Sequence, residues 1–106
     1  GRADDVIKSS AYRIGPFEVE SAILHHPAVA EAAVVGKPDA LKGHIVKAYV
    51  TLRPGQRAGA TLTADIQDLV RRMVGDHAYP REVEVVDSLP KTESGKIQRF
   101  KLRAGR

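Results

Sequence analysis

Cysteine and tryptophan are absent from the 106-residue sequence, and long apolar runs are absent too. Without cysteine the chain can form no disulfide bond, thiolate metal site or thiol nucleophile. No apolar run approaches the roughly 20 residues that a membrane-spanning helix requires. A chain of this length makes one small domain, and because it begins at Gly1 rather than Met we expect it to be a piece of a longer protein.

The first helical signal follows residue 15. Pro16 suits the first position of a helix, because its missing N–H has no partner there. Phe17, Ile23 and Leu24 then supply an apolar stripe, and Pro27 stops the helix. We therefore predict a short helix that packs this stripe against the rest of the domain.

A second, longer helical signal lies near the middle of the chain. Thr63 is a plausible N-cap, and Gly75 suits the position just past the C-terminus. Residues 97–102 give a weaker helical signal at the end of the sequence. The predicted apolar face of the longer helix consists of Ile66, Leu69, Val70, Met73 and Val74.

Strand signals lie between these helices. Residues 6–8 and 12–14 flank a small-residue turn and predict a hairpin. Residues 29–35 are small and β-branched, which is typical of a strand covered on both faces, and a turn is expected from Gly36. Residues 45–53 and 82–85 alternate apolar and polar side chains. The predicted fold is α+β, with two layers: a mainly antiparallel sheet of about three strands, flanking helices and a short N-terminal hairpin.

One polar loop, residues 90–96, does not serve a core and ends in Ser94-Gly95-Lys96. A lysine ammonium on a flexible stem can reach an anionic oxygen that a rigid arginine fork would miss. Gly95 allows positive φ or a close approach of the backbone to a ligand. On composition alone a solvated turn is the commoner outcome, because glycine and charged residues are what turns are made of.

Several stretches together resemble one protein family. Residues 1–8, 12–16 and 18–20 resemble the hinge segment of the adenylate-forming enzymes, which include acyl-CoA synthetases, adenylation domains of peptide synthetases and luciferases. Residues 90–99 are similar to the last core motif of that superfamily, which carries its catalytic lysine, and residues 26–29 and 31–36 match as well. Within the superfamily, the chain looks most like the C-terminal domain of medium-chain acyl-CoA synthetases and their acetyl-CoA synthetase relatives.

The resemblance implies a two-step ligase. A carboxylic acid and ATP give an acyl-adenylate and pyrophosphate, and coenzyme A then attacks the adenylate to form a thioester. Residues 1–106 are expected to be the mobile C-terminal domain, starting at the hinge, with the large N-terminal domain of the same parent chain as partner. ATP would bring Mg²⁺, held mostly by the absent domain. We expect the parent to be cytoplasmic and the isolated chain to catalyse nothing.

The resemblance also assigns residues. Lys96 matches the adenylation lysine, which also contacts the nucleotide, Arg2 and Arg13 match arginines that contact ATP or AMP, and Asp4 matches the hinge position. Ser10, Ala11 and Tyr12 match a segment that lines the pantetheine tunnel in relatives. Ala11 stands where many relatives have Gly, and a Cβ at this position narrows that tunnel or excludes positive φ. The implied coenzyme A residues are Ser10, Ala11, Tyr12, Lys42, Arg71, Tyr79, Pro80 and Arg81.

Plainer interpretations stay open at this point. Arg2 and Arg13 could pair with Asp4 or Asp5 at the surface, and Arg71 lies where a helix dipole favours a cation. No metal site is expected, because the histidines show no ligand spacing.

Two other functions also remain open. A carrier-protein-loading adenylation domain would not need the coenzyme A nucleotide, so binding of free coenzyme A separates it from the synthetase. A small basic nucleic-acid-binding module fits the net charge of +4, since 17 Lys and Arg residues oppose 13 Asp and Glu. The few aromatic residues, two Phe and three Tyr, argue against base stacking in such a module.

Overall fold

The computed structural model describes residues 5–103, and the predicted α+β class is confirmed. No helix in this range is long and apolar enough to cross a membrane. In chain order, the elements are β1 (Ile7–Ser9), β2 (Tyr12–Ile14), α1 (Pro16–Ile23), β3 (Val29–Asp39), β4 (Gly43–Leu52), α2 (Ala60–Met73), β5 (Glu82–Val85) and α3 (Arg99–Arg103).

All five strands join one sheet around β4. On one side, β4 pairs with β3 in a long antiparallel hairpin, which leaves β3 at the edge of the sheet. On its other side, β4 pairs antiparallel with β1 at Ser9 and Gly43, and then parallel with β5. The parallel pairing follows from the connection through α2, because parallel neighbours need a crossover rather than a tight turn. About three strands were expected in the sheet. The hairpin of β1 and β2 joins the same sheet and brings it to five strands.

Strand β3 is buried on both faces, as its composition predicts. Ala32 and Val34 belong to the main core, which the two longer helices complete, while Ala33 and Val35 face a smaller cluster. The smaller cluster includes Leu102 of α3. The segment around the conspicuous lysine is thus packed on the second face of the sheet. The ten largest fully buried side chains are Ile7, Ile14, Ile23, Ile66, Val19, Val29, Val34, Val50, Val70 and Pro80.

Local details depart from the sequence-based expectations in three places. Helix α2 begins at Ala60 after Gly59, so Thr63 lies inside the helix rather than at its N-cap. Strand β3 continues past Gly36 to Asp39, and Pro38 is tolerated because an edge strand needs no N–H on its outer side. Three residues assigned to buried helix faces are instead about half exposed: Phe17, Leu24 and Met73.

Candidate functional site

The loop of residues 91–97, called here the lysine loop, is a tight closed turn. Lys91 and Ile97 form an antiparallel bridge at its base. The Thr92 N–H donates to the Lys96 carbonyl at 2.8 Å, and the Gly95 N–H donates to the Thr92 carbonyl at 2.9 Å. Gly95 has a φ of +89°, a conformation that a residue with a Cβ adopts only with strain. The glycine next to Lys96 is therefore required by the turn itself.

The Thr92 side chain completes the turn. Its Oγ1 accepts the Lys96 N–H at 3.1 Å and lies 3.0 Å from the Ser94 Oγ. The Lys96 side chain is exposed, and it forms no ion pair with any residue between 5 and 103. The arrangement holds the lysine backbone firmly while leaving the ammonium group available for an external anion.

Two ion pairs attach the lysine loop to the domain. At its start, Lys91 pairs with Glu31 of β3. Just after its end, Arg99 donates from Nε and Nη2 to the two carboxylate oxygens of Glu20, at 2.9 and 2.6 Å. These hydrogen bonds raise the pKa of Arg99 above its ordinary value despite the opposing effect of burial. Removing one partner of such a pair typically costs about 3–5 kcal/mol, because a buried charge is left without compensation.

The Glu20–Arg99 pair was not singled out from the sequence. In the sequence, Glu20 falls in the stretch that resembles the hinge segment, and Arg99 falls in the last core motif. Because the residues are 79 positions apart, no local spacing connects them. Only the packing of α1 and α3 against β3 brings the two side chains together.

A second candidate region, called here the cationic cleft, lies where β4 meets β1 and β5. Five of the eight implied coenzyme A residues line it, although they come from distant parts of the sequence. The lining residues include Ser10, Tyr12, Lys42, His77, Tyr79 and Arg81, together with Asp76.

Cations gather around Tyr79 in the cleft. The guanidinium carbon of Arg71 lies 4.0 Å from the centroid of the Tyr79 ring, and that of Arg81 lies 5.4 Å from it. Arg81 and Lys42 are the cations that line the cleft, whereas Arg71 contacts Tyr79 without lining it. Asp76 is the one acidic lining residue in the described part of the chain. Guanidinium groups suit phosphate oxygens because their donors form a planar fork. The cleft is therefore suited to a phosphorylated ligand.

The turn between β1 and β2 forms one wall of the cleft. The Ser10 N–H donates to the Lys42 carbonyl at 2.8 Å, which joins this turn to the loop between β3 and β4. Positive φ falls on Ser10, at +52°, and not on Ala11. The Cβ of Ala11 therefore introduces no backbone strain here, and Ala11 does not line the cleft.

The remaining wall contains a residue that the sequence did not single out as a binding residue. The His77 ring stacks on Tyr12 with 4.6 Å between centroids and 23° between planes. Pro80 is instead buried, and its carbonyl accepts from the Gln67 amide at 3.0 Å. Pro80 thus shapes the segment that carries Tyr79 rather than lining the cleft.

The other implied residues lie elsewhere. Arg2 and Asp4 are outside the described residues. Arg13 lies in β2 opposite Lys8, and among residues 5–103 it has no ion pair. The Asp5 carboxylate accepts instead from Arg103 Nη1 at 2.7 Å. An ion pair between Arg13 and Asp5 is therefore not formed.

The geometry and comparisons with known proteins agree on a family. The family described as AMP-binding enzyme C-terminal domain matches residues 18–96, so the chain belongs to this family. The chain is similar to 4-hydroxybutyrate–CoA ligase 1 of Metallosphaera sedula, with 54% identity over 103 residues, covering 97% of this chain and 18% of that protein. It is also 54% identical, over 106 residues, to human acyl-coenzyme A synthetase ACSM5, mitochondrial, with 98% of this chain and 18% of that protein covered.

A solved structure gives the same result for the fold. The crystal structure of Brucella canis acyl-CoA synthetase superimposes with a TM-score of 0.93 and 59% identity. The match covers 98% of this chain and 19% of that one. This chain thus spans about a fifth of the length of the relatives that it matches.

Proposed function

We propose that this chain is the C-terminal domain of an AMP-forming acyl-CoA synthetase, joined through a hinge at Asp4 to a large N-terminal domain. The whole enzyme converts a carboxylic acid, ATP and coenzyme A into acyl-CoA, AMP and pyrophosphate. Family membership and the short span of the chain relative to its relatives support this proposal. The observation that carries it is the exposed Lys96 ammonium on a firmly held turn.

In the first step the substrate carboxylate attacks the α-phosphorus of ATP, and pyrophosphate leaves. Two negatively charged groups must approach each other for this bond to form. The Lys96 ammonium bridges the attacking carboxylate and the α-phosphate, which offsets the charge that builds up in the transition state. The hydrogen bonds of the lysine loop fix the backbone beforehand, so that less reorganisation is needed when the substrates are in place. Arg2 and Arg13 contact the nucleotide in the same proposal.

The surface around the lysine loop supports a docking partner. Phe17, Leu24 and Phe100 are each about half exposed, and all three line the groove that also contains Lys96. Exposed large apolar side chains gathered in one groove are typical of an interaction surface. We propose that the N-terminal domain covers this groove during adenylation, which places Lys96 against the bound substrates.

In the second step the coenzyme A thiol attacks the carbonyl carbon of the adenylate, and AMP leaves. The cationic cleft takes part of coenzyme A, with Arg71, Arg81 and Lys42 near its phosphates and Ser10 and Tyr12 along its pantetheine. The lysine loop is anchored beside β3, whereas the cleft lies at the opposite edge of β4. Rotation at Asp4 is therefore needed to bring each region in turn to the same substrates.

Two further parts of the proposal concern the metal and the cell compartment. Within residues 5–103 no three His, Asp or Glu side chains converge on a possible metal position, so Mg²⁺ is proposed to arrive on the ATP phosphates. We also propose that the parent is cytoplasmic. Cell fractionation tests this location against the mitochondrial one, which the name of the human relative gives for that protein.

The decisive experiment uses the full-length protein and measures the two steps separately. Lys96→Ala is expected to slow adenylate formation by about 100- to 1,000-fold, the size of effect seen when one stabilising donor is removed. Thioester formation from supplied adenylate should stay close to wild type. Lys101→Ala, an exposed lysine of α3 outside both regions, is the matched control. Equal loss in both steps would remove Lys96 from this role.

A binding measurement separates the synthetase from a carrier-protein-loading enzyme. The full-length protein is expected to bind free coenzyme A, because the cationic cleft offers guanidinium groups for its phosphates. Failure of coenzyme A to bind or to accept the acyl group, together with transfer to a carrier-protein thiol, would favour the alternative. The isolated chain is expected to catalyse neither step.

A further inference from the structure

The Glu20 carboxylate joins three elements of the fold at one point. It accepts both hydrogen bonds of the Arg99 guanidinium, and its Oε2 also accepts the Val34 N–H at 2.8 Å. Glu20 lies in α1, Val34 in β3 and Arg99 in α3. The side chains of Glu20 and Arg99 are only 8% and 10% exposed. The ion pair therefore lies largely out of solvent at the wall of a groove, where its attraction is screened less than that of an exposed pair.

The pair is also directly connected to the lysine loop. Arg99 follows Lys96 by three residues, and between them the Gln98 N–H donates to the Pro90 carbonyl at 2.9 Å. Glu20, Arg99 and Lys96 line the same groove. A shift of Arg99 would therefore be transmitted to Lys96 through a short, hydrogen-bonded stretch of backbone.

The anchor at the other end of the lysine loop is weaker. The side chains of Lys91 and Glu31 are 36% and 38% exposed, so solvent screens their attraction. The Arg99 guanidinium, in contrast, is enclosed and lies 4.6 Å from the centroid of the Phe17 ring. Of the two anchors, the Glu20–Arg99 pair is the one that can fix the loop.

We infer that Glu20 and Arg99 are positioning residues for the adenylation step, which act by setting where the Lys96 ammonium stands. This inference rests on the proposed function of Lys96. Neither residue needs to touch the substrates. A bidentate pair specifies orientation as well as distance, and a lysine at position 99 would keep the charge while losing the planar fork.

The experiment uses Arg99→Lys in the full-length protein, with each step measured separately. Adenylate formation is expected to fall by about 10- to 100-fold, because a small misplacement of a catalytic group is enough for such a loss. Thioester formation from supplied adenylate should change by less than about twofold. A change of this size lies within the error to which the free-energy effects of independent sites add. The matched control is Arg72→Lys, whose arginine pairs with Asp68 on the exposed side of α2. Equal losses in both steps, or no loss in adenylation, would overturn the inference.

A double variant tests whether the effect passes through Lys96. In the Lys96→Ala background, Arg99→Lys should cause no further loss of adenylation, because the group that it positions is gone. A full additional loss would overturn the inference. If Lys96→Ala alone left adenylation intact, both the proposed function and this inference would fail. If Lys96→Ala abolished adenylation while Arg99→Lys matched wild type, only the positioning inference would fail.

Glu20→Gln covers the case in which Arg99→Lys does not fold. Glutamine keeps the size of the side chain and an oxygen acceptor, but it removes the charge that orients the guanidinium. The same selective loss of adenylation is expected, with the thermal unfolding temperature recorded alongside. A lower unfolding temperature with both steps unchanged would mean that the pair is structural only.

Discussion

The lysine loop and the cationic cleft are assembled over very different distances along the chain. The hydrogen bonds that shape the turn of the lysine loop join residues at most four positions apart. The cleft instead brings together residues 9–12, 42–46 and 76–81. The turn of the first region depends on local hydrogen bonds, although distant ion pairs with Glu31 and Glu20 attach it to the domain. The second region exists only when β1, β4 and β5 are paired. Substitutions should therefore affect the two regions, and the two reaction steps, independently.

Apart from substitutions at Lys96 and Arg99, the largest effect is expected in the cleft. Arg81→Ala removes a cation held over Tyr79, and loss of its charged hydrogen bonds should raise the dissociation constant of coenzyme A by about 10- to 100-fold. Adenylate formation should be unchanged, because the lysine loop is separate. Binding is measured by calorimetry on the full-length protein. Arg72→Ala is the control, because Arg72 pairs with Asp68 outside the cleft. An equal rise in the dissociation constant for this variant would mean that only the net charge of the domain matters.

An intermediate effect is expected in the lysine loop. Gly95 has positive φ with no atom within 4 Å of an added Cβ, so Gly95→Ala introduces backbone strain without a clash. The expected loss in the free energy of unfolding is about 1–2 kcal/mol, measured by denaturant titration. Gly55→Ala is matched in both respects, because Gly55 also has positive φ and open space. Both variants should lose similar stability, and only Gly95→Ala should slow adenylation. Slowing by both would contradict the local nature of the loop.

The smallest effect concerns a pair that belongs to neither region. The hydrogen bonds from Lys37 lower the pKa of Glu82 from its ordinary value of 4.5, in spite of partial burial. A carboxyl whose pKa is lower in the folded state stabilises the fold above the unfolded pKa, and this contribution is lost as pH falls through the folded value. Because Glu82 is more than a third exposed, its contribution is less than about 1 kcal/mol.

The measurement compares the free energy of unfolding of wild type and Glu82→Gln across pH. The difference should be present near about pH 7 and shrink as pH falls through the folded pKa of Glu82, because protonation removes the charge that pairs with Lys37. Glu93→Gln, which changes an exposed residue of the lysine loop with no ion pair among residues 5–103, is the matched control. A difference that grows as pH falls would contradict the sign of the pKa shift.

The sequence predicted what depends on periodicity and on turn residues. It identified the alternating strand β4, the buried strand β3, Pro16 at the start of α1 and the glycine of the lysine loop. It missed the start of α2, because Thr63 is a good capping residue by composition although Gly59 occupies that position. The β3 extension was missed because Gly36 and Pro38 favour turns locally, whereas pairing with β4 holds them in the strand.

In the two candidate regions, too, local features could be predicted from the sequence and contacts between distant segments could not. Lys96 could be named from its short motif, and the resemblance supplied five of the residues that line the cleft. The Glu20–Arg99 pair and the stacking of His77 on Tyr12 could not be predicted, because each depends on contacts between distant segments. Phe17 was expected in the core by its spacing, yet it borders the groove beside Lys96. An apolar residue in a helix pattern thus does not reveal whether it faces its own core or another domain.

Strand β3 lies at the edge of the sheet, and this position gives the Glu20 side chain a second role. The outer edge of a terminal strand is where a foreign strand can add, and such pairing leads to aggregation. On that edge, the Glu20 carboxylate already accepts a hydrogen bond from the Val34 N–H. The side chain that orients the lysine loop is therefore also expected to hinder the addition of a foreign strand at Val34.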